Sequence, residues 1–385
     1  MESSREQTAP RSVVLNSVAV IGAGNWGTAL ACAVARAGSE QGLTLREVVV
    51  RDPHDLRDSV RARVVYKPLR KSLRGKWNPQ LVVDWDAARL DAEFLWLCVP
   101  DDAIESVCAE LVARRRIQVG QQQAGSPPTK AAKAGAFGAS SARASSAGIA
   151  ARRVTVGKVR AEQSRGVLAG QIVLHSSGAC ESALLAEAQK AGAQIASVHP
   201  VMSFPRREPI SLEGLLYGIE TASADCRRRL GVFLRKLGGE PFPVASGSKH
   251  LYHAAGTLAS PLLLSTFAAA IEAAQLAGLG KAQAARVVGR LAEATLANAQ
   301  SKGVAASLSG PLARGDAGTV ALHLQALSEH PPLEEVYRAL TAYALGHWPV
   351  RRAKDVAARL AETIKSRQPQ KRQRSESPLT RKKRR

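Results

Sequence analysis

The feature that most constrains the fold is the segment SVAVIGAGNWGTALACAVARAG at residues 17–38, which combines a strand pattern, a turn and a helix pattern. The turn has the spacing G-x-G-x-x-G at Gly22, Gly24 and Gly27. In such a unit the first glycine permits the tight turn, the second lets the backbone approach a pyrophosphate, and the third lets the helix pack close to the strand. Backbone amides at the helix start also attract phosphate. We therefore predict a dinucleotide-binding loop that includes Asn25 and Trp26.

Eight short runs rich in β-branched residues have the pattern of strands, and helical patterns separate them up to residue 245. The runs are 17–21, 47–51, 80–83, 94–99, 171–175, 194–198, 217–220 and 240–244. This alternation predicts an α/β fold, a doubly wound and mostly parallel Rossmann sheet covered by helices. After Ser246 the chain has long Ala- and Leu-rich segments without strands, which predict an all-helical domain.

The net charge of +22 is concentrated in two stretches of low complexity. Residues 114–165 carry +10 and residues 366–385 carry +8, while the rest of the chain has the balance of an ordinary enzyme. Neither stretch has an apolar period, so neither can offset its ordering entropy. We predict a Rossmann-like domain over 13–245 with a disordered insertion at 114–165, a helical substrate and dimerisation domain over 246–365, and a disordered basic tail. Nucleic acid would be a partner only through that tail.

The cysteine usage and the apolar runs favour a cytoplasmic protein without a membrane partner. The five cysteines are scattered and form no C-x-x-C pair, which argues against a disulfide framework and a cysteine zinc site. We find no cluster of metal ligands and predict no metal. The first seventeen residues lack the apolar stretch of a signal peptide. The longest apolar run, 254–271, is interrupted by Gly256 and Pro261, and we expect a buried helix there.

The end of the second strand discriminates between the two nicotinamide cofactors. Sites for NAD have an acidic residue at this point that holds the ribose 2′-hydroxyl, whereas an arginine can pair with a 2′-phosphate. Here the strand ends in Arg51, followed directly by Asp52. Arg51 predicts NADP(H) in preference to NAD(H).

The fourth strand ends in a turn that we expect beside the cofactor. Val99 and Pro100 leave the strand, and Asp101 or Asp102 is expected to cap the next helix. Ligands of doubly wound sheets lie outside the carboxyl ends of the strands. Val99 and Pro100 are therefore predicted cofactor contacts.

Two further strands end in polar residues at the same edge of the sheet. The fifth runs into His175-Ser176-Ser177-Gly178 and the sixth into His199. We predict that Ser177 contacts the cofactor and that His199 contacts the substrate. Each residue alone has a structural alternative, as a hydrogen-bonding group that only holds the turn.

The helical domain begins with a group of residues able to transfer protons. Lys249 and His253 are four residues apart and share a helix face with Tyr252. We predict both as catalytic, with Lys249 donating a hydrogen bond to a carbonyl or imine and His253 supplying a proton. The alternative is a solvated lysine and a structural histidine. Ser260 and Arg314 are predicted substrate contacts, Arg314 through an anionic group.

Several motifs resemble a known family. They are VPDDAI, HSSG, SVHPVMSFP, YGIE, KHLYHAAGTLASPLL and SGPLARGDAGTVALHLQAL. Together they resemble the bacterial two-domain family that joins a Rossmann-like NADP oxidoreductase domain to a helical domain of unknown function, related to pyrroline-5-carboxylate reductase and to the 6-phosphogluconate and β-hydroxyacid dehydrogenases. The resemblance covers about residues 13–113 and 166–348 and implies a fold and a cofactor class, not a substrate. One departure is Ser260-Pro261, where relatives have Ser-Asn, which puts a shared substrate in doubt.

Three functions follow from these observations. The favoured one is an NADP-dependent oxidoreductase that acts on a small carbonyl, imine or hydroxyacid and forms a homodimer through its Ala- and Gly-rich helices. The second is a non-catalytic NADP-binding sensor or scaffold. The third is a glycerol-3-phosphate-type dehydrogenase, because IGAGNWGTALA is similar to the fingerprint of the NAD-dependent enzyme, although that family's lysine–asparagine signature has no counterpart here.

Overall fold

The computed structural model describes the chain in four ranges, 14–50, 81–124, 166–204 and 210–366. The chain divides into two compact units, residues 1–256 and 257–385. The sheet unit thus extends beyond the predicted boundary at 245, because the first turns of the helix that begins at Lys249 pack against the sheet.

Within the described ranges, eight strands form one sheet in the order β3-β2-β1-β4-β5-β6-β7-β8. Their bounds are β1 Val14–Ile21, β2 Thr44–Val49, β3 Val82–Val83, β4 Ala92–Leu97, β5 Ile172–His175, β6 Gln194–Pro200, β7 Leu216–Glu220 and β8 Glu240–Pro243. The first six strands are parallel in the Rossmann order, and β7 runs antiparallel to β6. The prediction of a doubly wound, mostly parallel sheet is confirmed.

Helices cover both faces of the sheet. Among the described residues, the helices that begin in the first unit are α1 Asn25–Gln41, α2 Ile104–Ala124, α3 Ala186–Lys190, α4 Ala224–Lys236 and α5 Lys249–Ala259. Short 3₁₀ turns at Asp101–Ala103 and Ser182–Leu185 precede α2 and α3. Every residue of β4 is buried because Phe94 and Trp96 enter one core while Leu95 and Leu97 enter the other.

The first part of the predicted insertion is helical. Residues 114–124 continue α2, so the prediction of disorder from residue 114 is wrong for this part. Arg114 pairs with Glu110 one turn earlier and with Asp86, and Arg115 is buried, so these charges have partners within the fold. Residues 125–165, and the basic tail beyond residue 366, lie outside the described residues.

The second unit contains helices and turns throughout its described residues, which confirms the predicted all-helical region. The helices are α6 Pro261–Leu276, α7 Lys281–Lys302, α8 Val304–Ser307, α9 Gly310–Arg314, α10 Ala317–Leu327, α11 Pro331–His347 and α12 Ala353–Ser366. Asp316 caps α10 by accepting a 3.0 Å hydrogen bond from the Thr319 amide. Val320 and Leu324 form a small core with two residues of α12.

The apolar run predicted as a buried helix is exposed in the single chain. Of the described residues, those of α6 include none that is buried. By length and composition alone, the combined stretch Lys249–Leu276 could also cross a membrane. It is two helices, however, broken at Ser260, and Pro261 begins the second.

A partly buried ion pair fastens α4 to the sheet. The Arg229 guanidinium donates to Glu93 Oε1 at 2.7 and 3.0 Å and to the Gly170 carbonyl at 2.9 Å. The second Glu93 oxygen accepts from the Asn16 amide at 2.7 Å. One carboxylate of β4 therefore connects β1, β4 and α4.

Removal of this arginine should destabilise the sheet unit. We expect Arg229→Ala to lower the free energy of unfolding by about 3 kcal/mol, because the buried Glu93 charge loses its partner. Arg228→Ala is the matched control, since the neighbouring arginine forms only an exposed pair with Asp225, and it should cost less than about 0.5 kcal/mol. Urea unfolding followed by circular dichroism measures both, and equal losses would contradict this assignment.

Candidate active site

The glycine loop has the close contacts that its spacing predicts. Gly22 follows β1 with φ +104°, and a Cβ there would lie 2.5 Å from the Cys98 carbonyl oxygen. A Cβ on Gly27 would lie 2.0 Å from the Gly22 carbonyl oxygen. No side chain fits at either position. The start of α1 is therefore held directly against the turn that leaves β1.

Gly24 leaves the space that a pyrophosphate needs. It is the N-cap of α1, and a Cβ built on it would meet nothing within 4 Å. No side chain caps this helix end, and its first turn contains no acidic residue. Open space beside amides that need an acceptor fits a phosphate-bearing cofactor, so the residues present suit a dinucleotide.

Asn25 and Trp26 connect the glycine loop to distant strands. The Asn25 side-chain amide donates to the Phe204 carbonyl at 2.6 Å, and the Trp26 ring packs 4.9 Å from the Phe204 ring. Trp26 Nε1 donates to Ser176 Oγ at 2.6 Å, and Trp96 Nε1 donates to the same oxygen at 2.7 Å. These contacts fix the loop geometry before any ligand binds.

The turn after β4 differs from the prediction in one respect. Val99 is half-buried and Pro100 is exposed. Pro100 is the N-cap residue of the 3₁₀ turn, and no side chain caps that turn, so the expected capping by Asp101 or Asp102 is wrong. Asp101 instead accepts a 2.8 Å hydrogen bond from the Ser177 hydroxyl, which ties this turn to the one after β5.

Ser177 uses all of its polar groups within the protein. Its hydroxyl oxygen accepts from the amides of Ala179 and Cys180 at 3.1 and 2.9 Å, besides donating to Asp101. Its amide donates to His175 Nδ1 at 3.2 Å. The Ser177 side chain thus shapes the turn, and its predicted contact with the cofactor stays a prediction.

Lys249 is the buried residue that joins α5 to this turn. Its Nζ donates to the Ser177 carbonyl at 2.8 Å and to Ser197 Oγ at 2.9 Å, and the residue is 0% exposed. Burial is the largest effect on its ammonium group and lowers the pKa of Lys249 to about 8. Such a position suits a group that orients the site, and its predicted catalytic role remains a prediction.

His199 and His253 flank Gly178, and the Tyr252 hydroxyl lies beside Gly218. A Cβ on Gly178 would lie 2.7 Å from the His253 ring and 2.9 Å from His199 Nε2, so glycine alone permits this approach. His199 Nδ1 and the Tyr252 hydroxyl are 2.8 Å apart, and the two histidine ring centres are 6.2 Å apart. We call His199, Tyr252 and His253 the proton-transfer cluster.

The electrostatics of the cluster keep His199 uncharged. Burial, followed by the positive charges of Lys249 and His253, lowers the pKa of His199 to about 4. Burial raises the pKa of Tyr252. At neutral pH both groups are therefore uncharged and can form the hydrogen bond as donor and acceptor. His253 is exposed, so its ring lies on the solvent side of the cluster.

Two glutamates hold the turn that precedes α5. The buried Glu220, at the end of β7, accepts from the Ser182 amide at 2.6 Å and from the Ser246 hydroxyl at 2.8 Å. Glu181 accepts from the Gly247 amide at 2.7 Å. These hydrogen bonds hold the turn so that Lys249, the first residue of α5, lies beside the end of β5.

Three of the predicted site residues are not among the described residues of the first unit. Arg51 lies outside the described residues. Ser260 and Arg314 belong to the second unit, where Ser260 precedes α6 without a capping hydrogen bond and Arg314 is the exposed last residue of α9.

A cavity of about 830 Å³ lies at the opposite end of α1 from the glycine loop. Residues 33–38 of α1, residues 43–45 and the end of α4 at Arg235–Leu237 line it. Its lining on α1 begins at Ala33, eight residues after Asn25, so about 12 Å of helix separates it from the loop. None of the predicted site residues lines this cavity.

Sequence reasoning missed the contacts that cross the sheet edge. It identified Ser177 and His199 as single polar residues but not the pairing of Asp101 with Ser177 or of Tyr252 with His199. The sequence did indicate that Asp101 and Ser177 follow the neighbouring strands β4 and β5. Every residue after these strands has that property, so it does not identify which residues pair.

Two family models match the chain, one in each half. Residues 17–121 match the NAD-dependent glycerol-3-phosphate dehydrogenase N-terminus, and residues 215–344 match a domain of unknown function, DUF2520. The two matches follow the two-domain arrangement that the resemblance in its motifs predicted. A comparison with curated proteins finds no match.

Solved structures share the fold at low identity. The chain is 15% identical to protein TM1727 from Thermotoga maritima, with a TM-score of 0.51 over 90% of this chain and 99% of that one. It is 15% identical to BF3122 from Bacteroides fragilis, described as a proposed NADP oxidoreductase, with a TM-score of 0.50 over 85% and 96% of the two chains. The protein has the fold of NAD(P)-dependent oxidoreductases and the loop of a nucleotide cofactor site.

The burial of Lys249 predicts a specific pH dependence of stability. Its folded-state pKa of about 8 lies below the ordinary value of 10.5, so the unfolded chain binds more protons between these values. Wild-type stability should therefore rise relative to Lys249→Met from pH 8 to pH 10, by up to roughly 1 kcal/mol per unit. Urea unfolding at fixed protein concentration measures the difference, and Lys190→Met, which removes an exposed lysine, gives the baseline. A difference that is flat with pH would contradict the assignment.

Proposed function

We propose that this protein is an NADP(H)-dependent oxidoreductase that reduces a C=N or C=O bond of a small molecule, or oxidises the corresponding amine or alcohol. The observation that carries the proposal is the proton-transfer cluster at the carboxyl end of β5, on the same sheet edge as the glycine loop. A hydride donor and a proton donor are what such a reduction requires.

The sheet order supports a single cofactor-bound site. Only β4 separates β1 from β5, so the glycine loop and the turn at Ser177 follow strands that are about 10 Å apart. An extended dinucleotide held at the glycine loop therefore reaches the cluster. The described fold of BF3122, with its proposed NADP chemistry, supports the same cofactor class.

Each residue of the cluster has a role that follows from its surroundings. The bound cofactor supplies or accepts the hydride. His253, exposed beside Gly178, exchanges the proton with the substrate nitrogen or oxygen. With its proton on Nδ1, neutral His199 donates to the Tyr252 oxygen and leaves the tyrosine hydroxyl proton for the substrate. Lys249 orients the turn and the Tyr252 ring, whose centre is 5.5 Å from its Nζ.

The alternative of a glycerol-3-phosphate-type dehydrogenase has narrower support. Similarity to that enzyme is limited to residues 17–121, whereas residues 215–344 match a different domain. Dihydroxyacetone phosphate nevertheless belongs in any substrate panel.

Arg51 should give the site its preference for NADPH. In the sequence it comes two residues after Val49, the last residue of β2, which is the strand next to β1, and an arginine can pair with a 2′-phosphate. We expect calorimetry to show tighter binding of NADPH than of NADH. Arg51→Ala should reduce the ratio of the two affinities roughly ten- to hundredfold. Arg228→Ala, which removes an exposed arginine of α4, should leave the ratio unchanged. Equal affinities in the wild type would refute the preference.

Loss of a proton donor should affect turnover and spare cofactor binding. A screen with NADPH and NADP against imine, carbonyl and hydroxyacid panels identifies a substrate first. We then expect His253→Ala and Tyr252→Phe each to lower kcat by roughly 10²–10⁴, with NADPH affinity nearly unchanged. The matched control is His250→Ala, an exposed histidine on the same helix.

The outcomes of this screen separate an enzyme from a sensor. No turnover with any panel member, together with tight NADPH binding, would favour a non-catalytic sensor. Turnover that survives both substitutions would refute the assigned cluster while leaving the oxidoreductase proposal intact. Lys249→Met tests positioning, because it should change KM and kcat together if it orients the turn.

A further inference from the structure

The carboxyl end of α11 holds two aromatic rings in a stack. The ring centres of Tyr343 and His347 are 4.1 Å apart, and their planes differ by 13°. His347 Nδ1 donates a hydrogen bond to the Tyr343 carbonyl oxygen at 2.8 Å, which fixes the histidine ring in this position. Trp348 lies edge-on to the same tyrosine, with ring centres 6.3 Å apart. We call Tyr343, His347 and Trp348 the aromatic platform.

The aromatic platform is open to solvent. Tyr343 is 58% exposed, and it is the one aromatic residue among the large apolar side chains that are exposed in the described ranges. His347 is exposed as well, and Trp348 is half-buried. A ring pair that is held in place at the surface suits a planar ligand, because the flat face of a nucleobase stacks on aromatic side chains.

Three basic residues directly follow the aromatic platform. Arg351 and Arg352 lie in the turn between α11 and α12, and Lys354 lies in the first turn of α12. All three are exposed. Arg352 pairs with Asp355 at 2.7 Å on the surface, whereas within the described part of the chain Arg351 and Lys354 have no ion pair. We call Arg351, Arg352 and Lys354 the basic turn.

The backbone holds the basic turn against the end of α9. The Arg351 amide donates to the Ala313 carbonyl oxygen at 3.4 Å, and a Cβ on Gly315 would collide with the Arg351 carbonyl oxygen. Arg352 has a φ of +49°, a left-handed conformation that a residue other than glycine adopts only when its surroundings stabilise it. The fold therefore sets where these charges lie relative to the aromatic platform.

We propose that the aromatic platform and the basic turn bind single-stranded nucleic acid. A base stacks on Tyr343, while Arg351 and Lys354 bind the phosphates next to it. The charge supports this partner, since residues 349–385 contain 14 Lys and Arg but three Asp and Glu. Both matched family models end at or before residue 344, so the basic turn lies outside both of them. The sequence alone had assigned nucleic acid only to the basic tail.

The packing of α12 favours nucleic acid over an anionic membrane surface. Val356 and Leu360 of α12 are buried because they pack against Val320 and Leu324 of α10. A helix lies in a membrane surface through a free apolar face, and this face of α12 is already covered within the unit. A duplex is also disfavoured, because its bases are paired and stacked on one another and do not reach an aromatic side chain.

Fluorescence anisotropy of the full chain with labelled strands tests the stacking contact. The probes are an RNA strand and a DNA strand of one sequence, each about 12 nucleotides long, and the DNA duplex of that length. Tyr343→Ala should weaken binding of the single strands about ten- to hundredfold and leave duplex binding unchanged. Tyr343→Phe keeps the ring and should keep the affinity. Leu322→Ala, at a 66% exposed position of α10, is the control for loss of an exposed side chain.

The salt dependence of binding tests the charges. Each phosphate contact with a single strand changes the slope of log K against log salt by about 0.7. The double variant Arg351→Ala/Lys354→Ala should therefore reduce the slope by about 1.4. The matched control is Lys281→Ala/Arg290→Ala, which removes two exposed charges of α7 and should leave the slope unchanged. Attraction by net charge alone would change equally in both double variants.

Three results would overturn the proposal. If neither strand binds at low salt, this surface has no nucleic-acid partner. Equal slopes in the two double variants, or single-strand binding that Tyr343→Ala leaves unchanged, would assign the affinity to the basic tail or to net charge. Sedimentation with vesicles that contain phosphatidylglycerol, without affinity for either strand, would identify a membrane as the partner. If circular dichroism shows that Tyr343→Ala fails to fold, the double variant of exposed residues still decides.

Discussion

The site geometry depends on the buried ammonium group of Lys249. It binds the Ser177 carbonyl, just beyond β5, and the Ser197 hydroxyl within β6, and so fastens the first turn of α5 to two neighbouring strands. The sheet register explains why both acceptors are within reach. β5 ends at His175 opposite Ser197, whereas β6 continues to Pro200. From this anchor, α5 carries Tyr252 and His253 past Gly178 and toward His199. Burying a charge is unfavourable. The hydrogen bonds to Ser177 and Ser197 offset part of that cost, and so do the nearby negative charges of Glu220 and Asp101.

The parts of the fold that depend on short stretches of sequence were predictable from the sequence. Gly22 and Gly27 occupy positions that no other residue fits, so their spacing identified the loop in advance. The apolar run of β4 identified a strand that is covered on both faces. Contacts between residues far apart were not predictable. Asp101 and Ser177 are 76 residues apart, and each had a plausible local role as a cap or a turn residue. The length of α2 was missed because the partners of Arg114 and Arg115 are visible only after folding.

The helical unit illustrates a different limit of sequence reasoning. Its longest apolar run predicted a buried helix, and the structure contradicts this prediction, since α6 has no buried residue among those described. Hydrophobic patterning indicates how much apolar surface favours burial, but it does not indicate which residues or molecules bury it. The fold of one chain and the stability of its helices are therefore separate questions here.

The hydroxyl of Ser176 has an optical consequence. Its oxygen accepts from the indole N–H groups of both Trp26 and Trp96, whose rings lie 5.9 Å apart. Trp26 is part of the glycine loop, and Trp96 is fully buried in β4. Indole emission responds to the polarity and hydrogen bonding around the ring. The chain thus carries an intrinsic fluorophore at the point where a nucleotide would meet the sheet, and the emission of Trp26 reports the state of that loop without any attached label.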